Sequence, residues 1–464
     1  MVTPHSHMDA ESRTDPPTEK RGRRRLMMGL AALSVAGAAG LGWTTYQRSD
    51  ARKREANALG LATRSRESLR DGLILEAVSD ATKALELAPS LADVQLAWVH
   101  AEGLALIEGS PDARRATGYL YKTWRFDVRG ATLAFATLAH AISVGNDRYA
   151  ENLVEQHVAQ LVPEDPHHLY ATGAALDLMC VPSRAELAFA RAAELWEGSR
   201  LPTIRQVRSL LLGDRPADAG PLLAGIAGAP RDLLAHVVTR LSGKRTPALW
   251  MAREVIGDLP RSLRAIAFVS TMSPDNQVPM ELLLEDVDSA LAADLCGRIA
   301  MRAGDMESAQ LAVDRACQLR PELGSSQSRL IAIMLLRGDL EGARKRAELS
   351  QDRDEILRTD AIMAYEKGDT EGLRKLVGEH PSGDPFVWPT VVLAISLLEK
   401  KVVAEEHLQK RIDADEPWAD LLLFDAALAS GNAATLDKLA EAWTDVTPPR
   451  RARLDKRKST QTPK

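Results

Sequence analysis

Residues 303–321 read AGDMESAQLAVDRACQLRP. Each position in that stretch has a physical reason. Gly304 permits a tight connection between two antiparallel helices, because it reaches backbone conformations other residues avoid. Ala309 and Ala316 stand seven apart, so they share one helical face two turns along and let a partner helix come close. Pro321 lacks an N–H and stops the helix. The stretch therefore predicts the second helix of a helix pair, with a turn in front and a stop behind.

The pattern recurs. Gly338-Asp339, then Ala343, follow 34 residues after Gly304-Asp305 and Ala309, with Ala347 four residues further on. Residues 72–89, GLILEAVSDATKALELAP, place Gly72, Ala77, Ala81, Ala84, Leu87 and Pro89 at the same offsets. Further turn signals stand at Gly368-Asp369, Lys400-Lys401 and Gly431-Asn432. Degenerate units are read at Gly145-Asn146-Asp147 with Ala150 and Pro163, at Ala185 with Ala192, and at Gly213-Asp214. Residues 215–290 carry Pro and Gly without a clean match. A fixed period in this range signals a repeat architecture.

These windows resemble the tetratricopeptide repeat family, which uses a glycine at the turn, small residues where its two helices touch and a closing proline. Gly297 falls at the family's small position in the first helix. The clearest units are 58–91, 290–323 and 324–353, and the resemblance extends over 56–447. Longer insertions near 109–130 would suit Sel1-like units, but glycine-turn spacing favours the tetratricopeptide type. The resemblance implies an all-α fold, an α-solenoid of antiparallel helix pairs with a concave groove that binds other proteins. Some family members grip an acidic tail with Lys and Asn on successive first helices. Asp294, Arg298, Ser328 and Arg329 occupy that neighbourhood here and do not reproduce the pattern.

Composition agrees. The 464-residue chain is 45% hydrophobic with only 4% aromatics, and abundant alanine favours closely packed helices. The net charge of −5 divides into +2 over residues 1–50, +6 over 448–464 and −13 between them. An acidic body excludes a nucleic-acid-binding solenoid, which needs a basic face.

From Leu26 to Tyr46 the sequence LMMGLAALSVAGAAGLGWTTY has no charge. As a helix it spans about 30 Å, the thickness of a bilayer core. Lys20 to Arg25 precede it, and Trp43 and Tyr46 lie at its far end, where aromatic rings favour the interface. The organisation expected is a disordered basic cytoplasmic tail over 1–25 and a transmembrane signal anchor over 26–46. A linker over 47–55, repeats over 56–447 and a disordered basic tail over 448–464 follow. The body is then periplasmic on a single-pass inner-membrane protein of a bacterial envelope. The alternative is an exported periplasmic protein, with Arg24-Arg25 in a twin-arginine-like signal and Ala36-Gly37-Ala38 as a cleavage site. Ala32, Ala36 and Gly40 form a small-residue row that permits helix pairing, so a homo-oligomer is possible.

Catalytic and cofactor motifs are absent. No P-loop, GxGxxG, HExxH or GxSxG occurs, and no cofactor is expected. Three cysteines, Cys180, Cys296 and Cys317, include no CxxC and read as small buried hydrophobes; spacing gives no support to a Cys296–Cys317 bridge. His167 and His168 are adjacent, point apart on a helix and make a poor metal pair. His5 and His7 are weak metal binders at best. The tryptophans at 98, 124, 196, 250, 388, 418 and 443 are expected in core or repeat-stacking positions. The functional expectation is a non-catalytic interaction scaffold supporting assembly of an envelope complex. The rivals are a self-assembling solenoid and an enzyme with an unrecognised site in 199–290.

Overall fold

The computed structural model describes residues 19–109, 112–160, 164–242, 249–271, 287, 289–350, 353–379, 394, 397–398, 405, 408–409, 418–443 and 447–461. Among them there are helices and turns and no strand. The order is α1 (Glu19–Arg70), α2 (Ile74–Leu87), α3 (Ala92–Glu108), α4 (Ala113–Thr123), α5 (Ala131–Ser143), α6 (Asp147–Ala159), α7 (Pro166–Leu178) and α8 (Pro182–Leu195). Next come α9 (Leu201–Leu212), α10 (Pro216–Ala219), a 3₁₀ turn (Gly220–Gly225), α11 (Ala229–Leu241), α12 (Arg253–Asp258) and α13 (Arg261–Thr271). The second half holds α14 (Ala290–Ala303), α15 (Met306–Leu319), α16 (Gly324–Arg337), α17 (Leu340–Ser350), α18 (Arg353–Glu366), α19 (Thr370–Glu379), α20 (Ala419–Ser430), α21 (Ala433–Ala442) and α22 (Pro448–Gln461).

The unit that decides the reading folds as its residues dictate. Gly304 ends α14 in the left-handed region at φ 83°, and its N–H donates to the Met301 carbonyl at 3.0 Å. Asp305 then caps α15, accepting the Ser308 N–H at 3.0 Å. One dipeptide thus closes one helix and opens the next. The same device recurs at Gly338-Asp339, Gly368-Asp369, Gly431-Asn432 and Gly145-Asn146, each glycine at positive φ and each acid or amide capping. Gly72 takes φ 82° without a capping side chain after it.

Alanine makes the pairs close. Ala77, Ala84, Ala309, Ala316 and Ala343 are fully buried. At Gly297 an added Cβ would overlap Val313 Cγ2 and lie 3.3 Å from the Ala309 carbonyl. This is why the first helix carries glycine where the second crosses it. Pro89 and Pro321 lie just past the ends of α2 and α15.

Consecutive helices pack into three cores that share border elements. One runs from Ala58 to Leu201, the next from Ile204 to Ile333, the third from Met306 to Trp443. Helix α9 supplies Leu201 to the first and Ile204 to the second, and Met301 and Met334 touch both the second and the third. Neighbours therefore bury what no single pair can. Each fully buried side chain, such as Leu211 or Phe424, contributes about 1.5–3 kcal/mol.

Several expectations are corrected. Residues 47–55, expected as a linker, are helical, because α1 runs through them without interruption. From Tyr46 to Asn57 the side chains are exposed or half-exposed, and burial starts at Ala58, so this part of α1 stands off the solenoid. Residues 448–461 are not disordered. Helix α22 docks against α20 and α16, and Arg453 is buried between Asp425 and Glu366 at 2.9 and 2.8 Å. Two more arginines, Arg450 and Arg457, pair with Asp420 and Asp437. The basic run is the counter-charge of an acidic solenoid end.

Glycine is not used at every turn. Gly213 has φ −81° and Asp214 takes the left-handed position instead, at φ 58°. Cys180 does the same at φ 62° and is half-buried, unlike Cys296 and Cys317, which are buried and unbridged. Trp98, Trp418 and Trp443 are buried as expected, but Trp124 and Trp250 are 62% and 88% exposed. Residues 1–18, Pro163, His380, Trp388, Lys400, Lys401 and His407 lie outside the described residues. No helix among the described residues is long and apolar enough to cross a membrane. The run 26–46 lies within the backbone of α1, but nearly all of its side chains, Ala32, Ala36 and Gly40 included, lie outside the described residues.

Candidate functional site

In the first half of the chain, helices far apart in sequence meet through buried polar side chains. At the end of α3, Glu108 is 4% exposed. Its carboxylate accepts the Tyr170 hydroxyl of α7 at 2.5 Å, Arg205 Nε of α9 at 2.7 Å and the Ser262 hydroxyl of α13 at 3.0 Å. Beside it, Asp177 accepts Arg208 Nη1 at 2.9 Å and the Ser209 hydroxyl at 2.8 Å, and Arg208 Nε donates to the Ser262 carbonyl at 2.9 Å. Burial, then the charge of Glu108, pushes the Tyr170 phenol well above its ordinary range, so it remains a donor. Ions this deep survive only when paired and fully hydrogen-bonded. This network ties α3, α7, α9 and α13 together.

A cleft of about 270 Å³ remains where α3, α5, α7, α9, α13, α14 and α15 converge. Ile107, Ile142, Leu178 and Leu319 form apolar walls, and Arg205, Arg261 and Arg320 bring three guanidinium groups to it. Arg205 is held by Glu108, and Arg320 reaches Glu322 at 3.2 Å. Ser289, which caps α14 through the Ala292 N–H at 3.2 Å, adds a hydroxyl. The lining holds no carboxylate, imidazole, thiol or lysine among the described residues. Such a set suits capture of an anion flanked by apolar groups, since guanidinium forks match carboxylate geometry.

The structure separates His167 from His168, as adjacency on a helix requires, but gives His167 other company. Asp165 caps α7, its Oδ1 accepting the N–H groups of both histidines at 3.0 Å. His168 turns towards His157, ring nitrogens 3.3 Å apart, and burial, then the charge of His157, lowers its pKa to about 4. His167 instead stacks on His100 of α3 with centroids 3.7 Å apart, backed by Trp196 at 4.3 Å. His100 Nε2 and His167 Nδ1 are buried without a hydrogen-bond partner. An unmet buried polar group of this kind costs about 1–3 kcal/mol. His100 lies in a sequence window with no His, Cys, Asp or Glu spacing to mark it, so only the fold brings it to residues 165–167.

The residues at the family's clamp positions are structural. Asp294 is buried and accepts Arg329 Nε at 2.9 Å and the Ser326 hydroxyl at 3.2 Å, while Arg298 donates to the carbonyls of Leu211 and Leu212 at 2.7 and 3.3 Å. They tie α14 to α16 and α9. The repeat residues Gly72, Gly297, Gly304 and Gly338 and their alanines likewise lie at turns and helix contacts and do not line the cleft.

No family model and no curated protein matches the sequence. Among solved structures the chain is similar to the crystal structure of the P58(IPK) TPR domain, at 13% identity and a TM-score of 0.24, covering 72% of this chain and 99% of that chain. The architecture stands on the helix pairs themselves, with their left-handed turns and alanine seams.

Proposed function

We propose that this chain is a non-catalytic scaffold that holds an acidic, partly apolar segment of another protein, with the arginine-lined cleft as its grip. The observation that carries this reading is the convergence of Arg261 and Arg320 on apolar walls in one cleft, beside Arg205, which Glu108 already holds. A cleft of this size lies near the low end for ligand sites and takes a terminal residue or one side chain. Guanidinium groups set among apolar side chains suit holding an anionic group. A photo-crosslinking residue at Leu319, in the cleft, is expected to trap a defined partner in cells. One at Leu75, an exposed site on α2, is not. Arg320→Glu should abolish the Leu319 adduct. Equal adducts at both sites, or an adduct indifferent to Arg320→Glu, would refute the assignment.

The finer proposal keeps the membrane. Residues 26–46 act as a signal anchor, with the N-terminus cytoplasmic and the solenoid periplasmic, where it supports assembly of an envelope complex. Support comes from the uncharged run, from exposed Met27, Met28 and Tyr46, and from the stand-off of α1. The chain should resist alkaline extraction from membranes, while its solenoid is digested only once the outer envelope is opened. Release by alkali would instead favour the exported form.

A further inference from the structure

We propose that His100, Asp165 and His167 form a divalent transition-metal site of the zinc class that joins α3 to the start of α7. One ligand atom from each of the three lies within 4.8 Å of the others. His100 is 7% exposed, and its Nε2 has no hydrogen-bond partner; the same holds for buried His167 Nδ1. Asp165 Oδ1 stands 3.6 Å from His167 Nδ1, too far for a hydrogen bond. The carboxylate is fixed in place by the two backbone N–H groups it caps, and a carboxylate has acceptor capacity beyond those two bonds. Two unmet ring nitrogens and one anchored carboxylate make an N₂O donor set, which zinc accepts with water in the fourth position.

The geometry asks for a modest adjustment. Ligand atoms around tetrahedral zinc stand about 3.4 Å apart, so the three close up by roughly 1.5 Å at most. The two imidazoles are nearly parallel, 11° apart, and parallel rings project their in-plane lone pairs side by side. Binding therefore turns at least one ring out of the stack. His168 is not a ligand, because it faces His157. A buried water is the rival occupant, since it also satisfies two nitrogens and an oxygen. The site is separate from the cleft and does not depend on the scaffold reading.

The test uses the full chain with His5→Ala and His7→Ala, so that the N-terminal histidines contribute nothing. After chelator treatment, zinc is titrated against a chromophoric competitor. The expected result is about one equivalent bound at micromolar affinity or tighter. His167→Ala and His100→Phe should each weaken it about tenfold or more, and His168→Ala should not. Cobalt(II) absorption in the unsubstituted site reads the ligand set without any core variant, and visible d–d bands of a four- or five-coordinate ion are expected. No stoichiometric binding, binding indifferent to His167→Ala, or an octahedral aqua-type cobalt spectrum would overturn the site and leave a water there.

Discussion

Single residues decide where helices meet and what pH the fold tolerates. Gly297 and Gly304 were legible because their roles are local: one gives way to Val313, the other takes φ 83°. Cys180 and Asp214 were not, because neither residue type marks a left-handed turn as glycine does, yet both take positive φ. Histidine titration follows from burial, which sequence does not display. His236 has its pKa lowered to about 4 by burial and then by the charge of Arg240, and burial lowers His140 and His157 as well. The unfolded chain titrates near 6.5, so between about pH 6.5 and 4 the unfolded state binds protons that the folded state refuses. Stability is full above that window and falls as pH drops through it. Thermal melts from pH 7 to pH 4.5 should show this loss. His236→Gln should flatten the slope by on the order of 1 kcal/mol, and an unchanged slope would show that His236 is not protected.

At the scale of elements, the helix pairs rest on short-range signals and the terminal helix on long-range ones. The seams of α1 with α2, α14 with α15 and α16 with α17 follow from alanine spacing and a turn glycine, both short-range signals. Helix α22 has no apolar stripe to reveal it; only Leu454 joins the core. It folds because Arg450, Arg453 and Arg457 meet carboxylates of α18, α20 and α21, a complementarity visible only when distant segments are placed together. Helix α22 should therefore depend on Arg453, whose side chain is 8% exposed beside Asp425 at 14% and Glu366 at 23%. Arg453→Ala should destabilise the C-terminal region by about 3 kcal/mol, as breaking a buried pair does. Hydrogen exchange over residues 419–430 should rise while residues 74–108 keep their protection, because repeats couple chiefly to neighbours. Uniform change along the chain, or none, would contradict a docked cap.

At the scale of the molecule, the repeat period announced a helical solenoid, and the acidic body argued against a nucleic-acid partner. They did not announce the buried polar network that joins α3, α7, α9 and α13. Glu108, Arg205 and Ser262 are 97 and 154 residues from their partners, and no local pattern marks such a contact. Arg205 lines the cleft, so the network fixes one of its walls. The direct measurement is a double-mutant cycle on Glu108→Gln and Arg205→Met, followed by urea unfolding. If α3 and α9 meet as described, each single change leaves a buried partner unmatched and costs about 3 kcal/mol or more. The double variant should then lose about 2 kcal/mol less than the two losses combined. Losses that add within about 0.5 kcal/mol would mean that the two side chains do not touch and that α3 and α9 do not meet there.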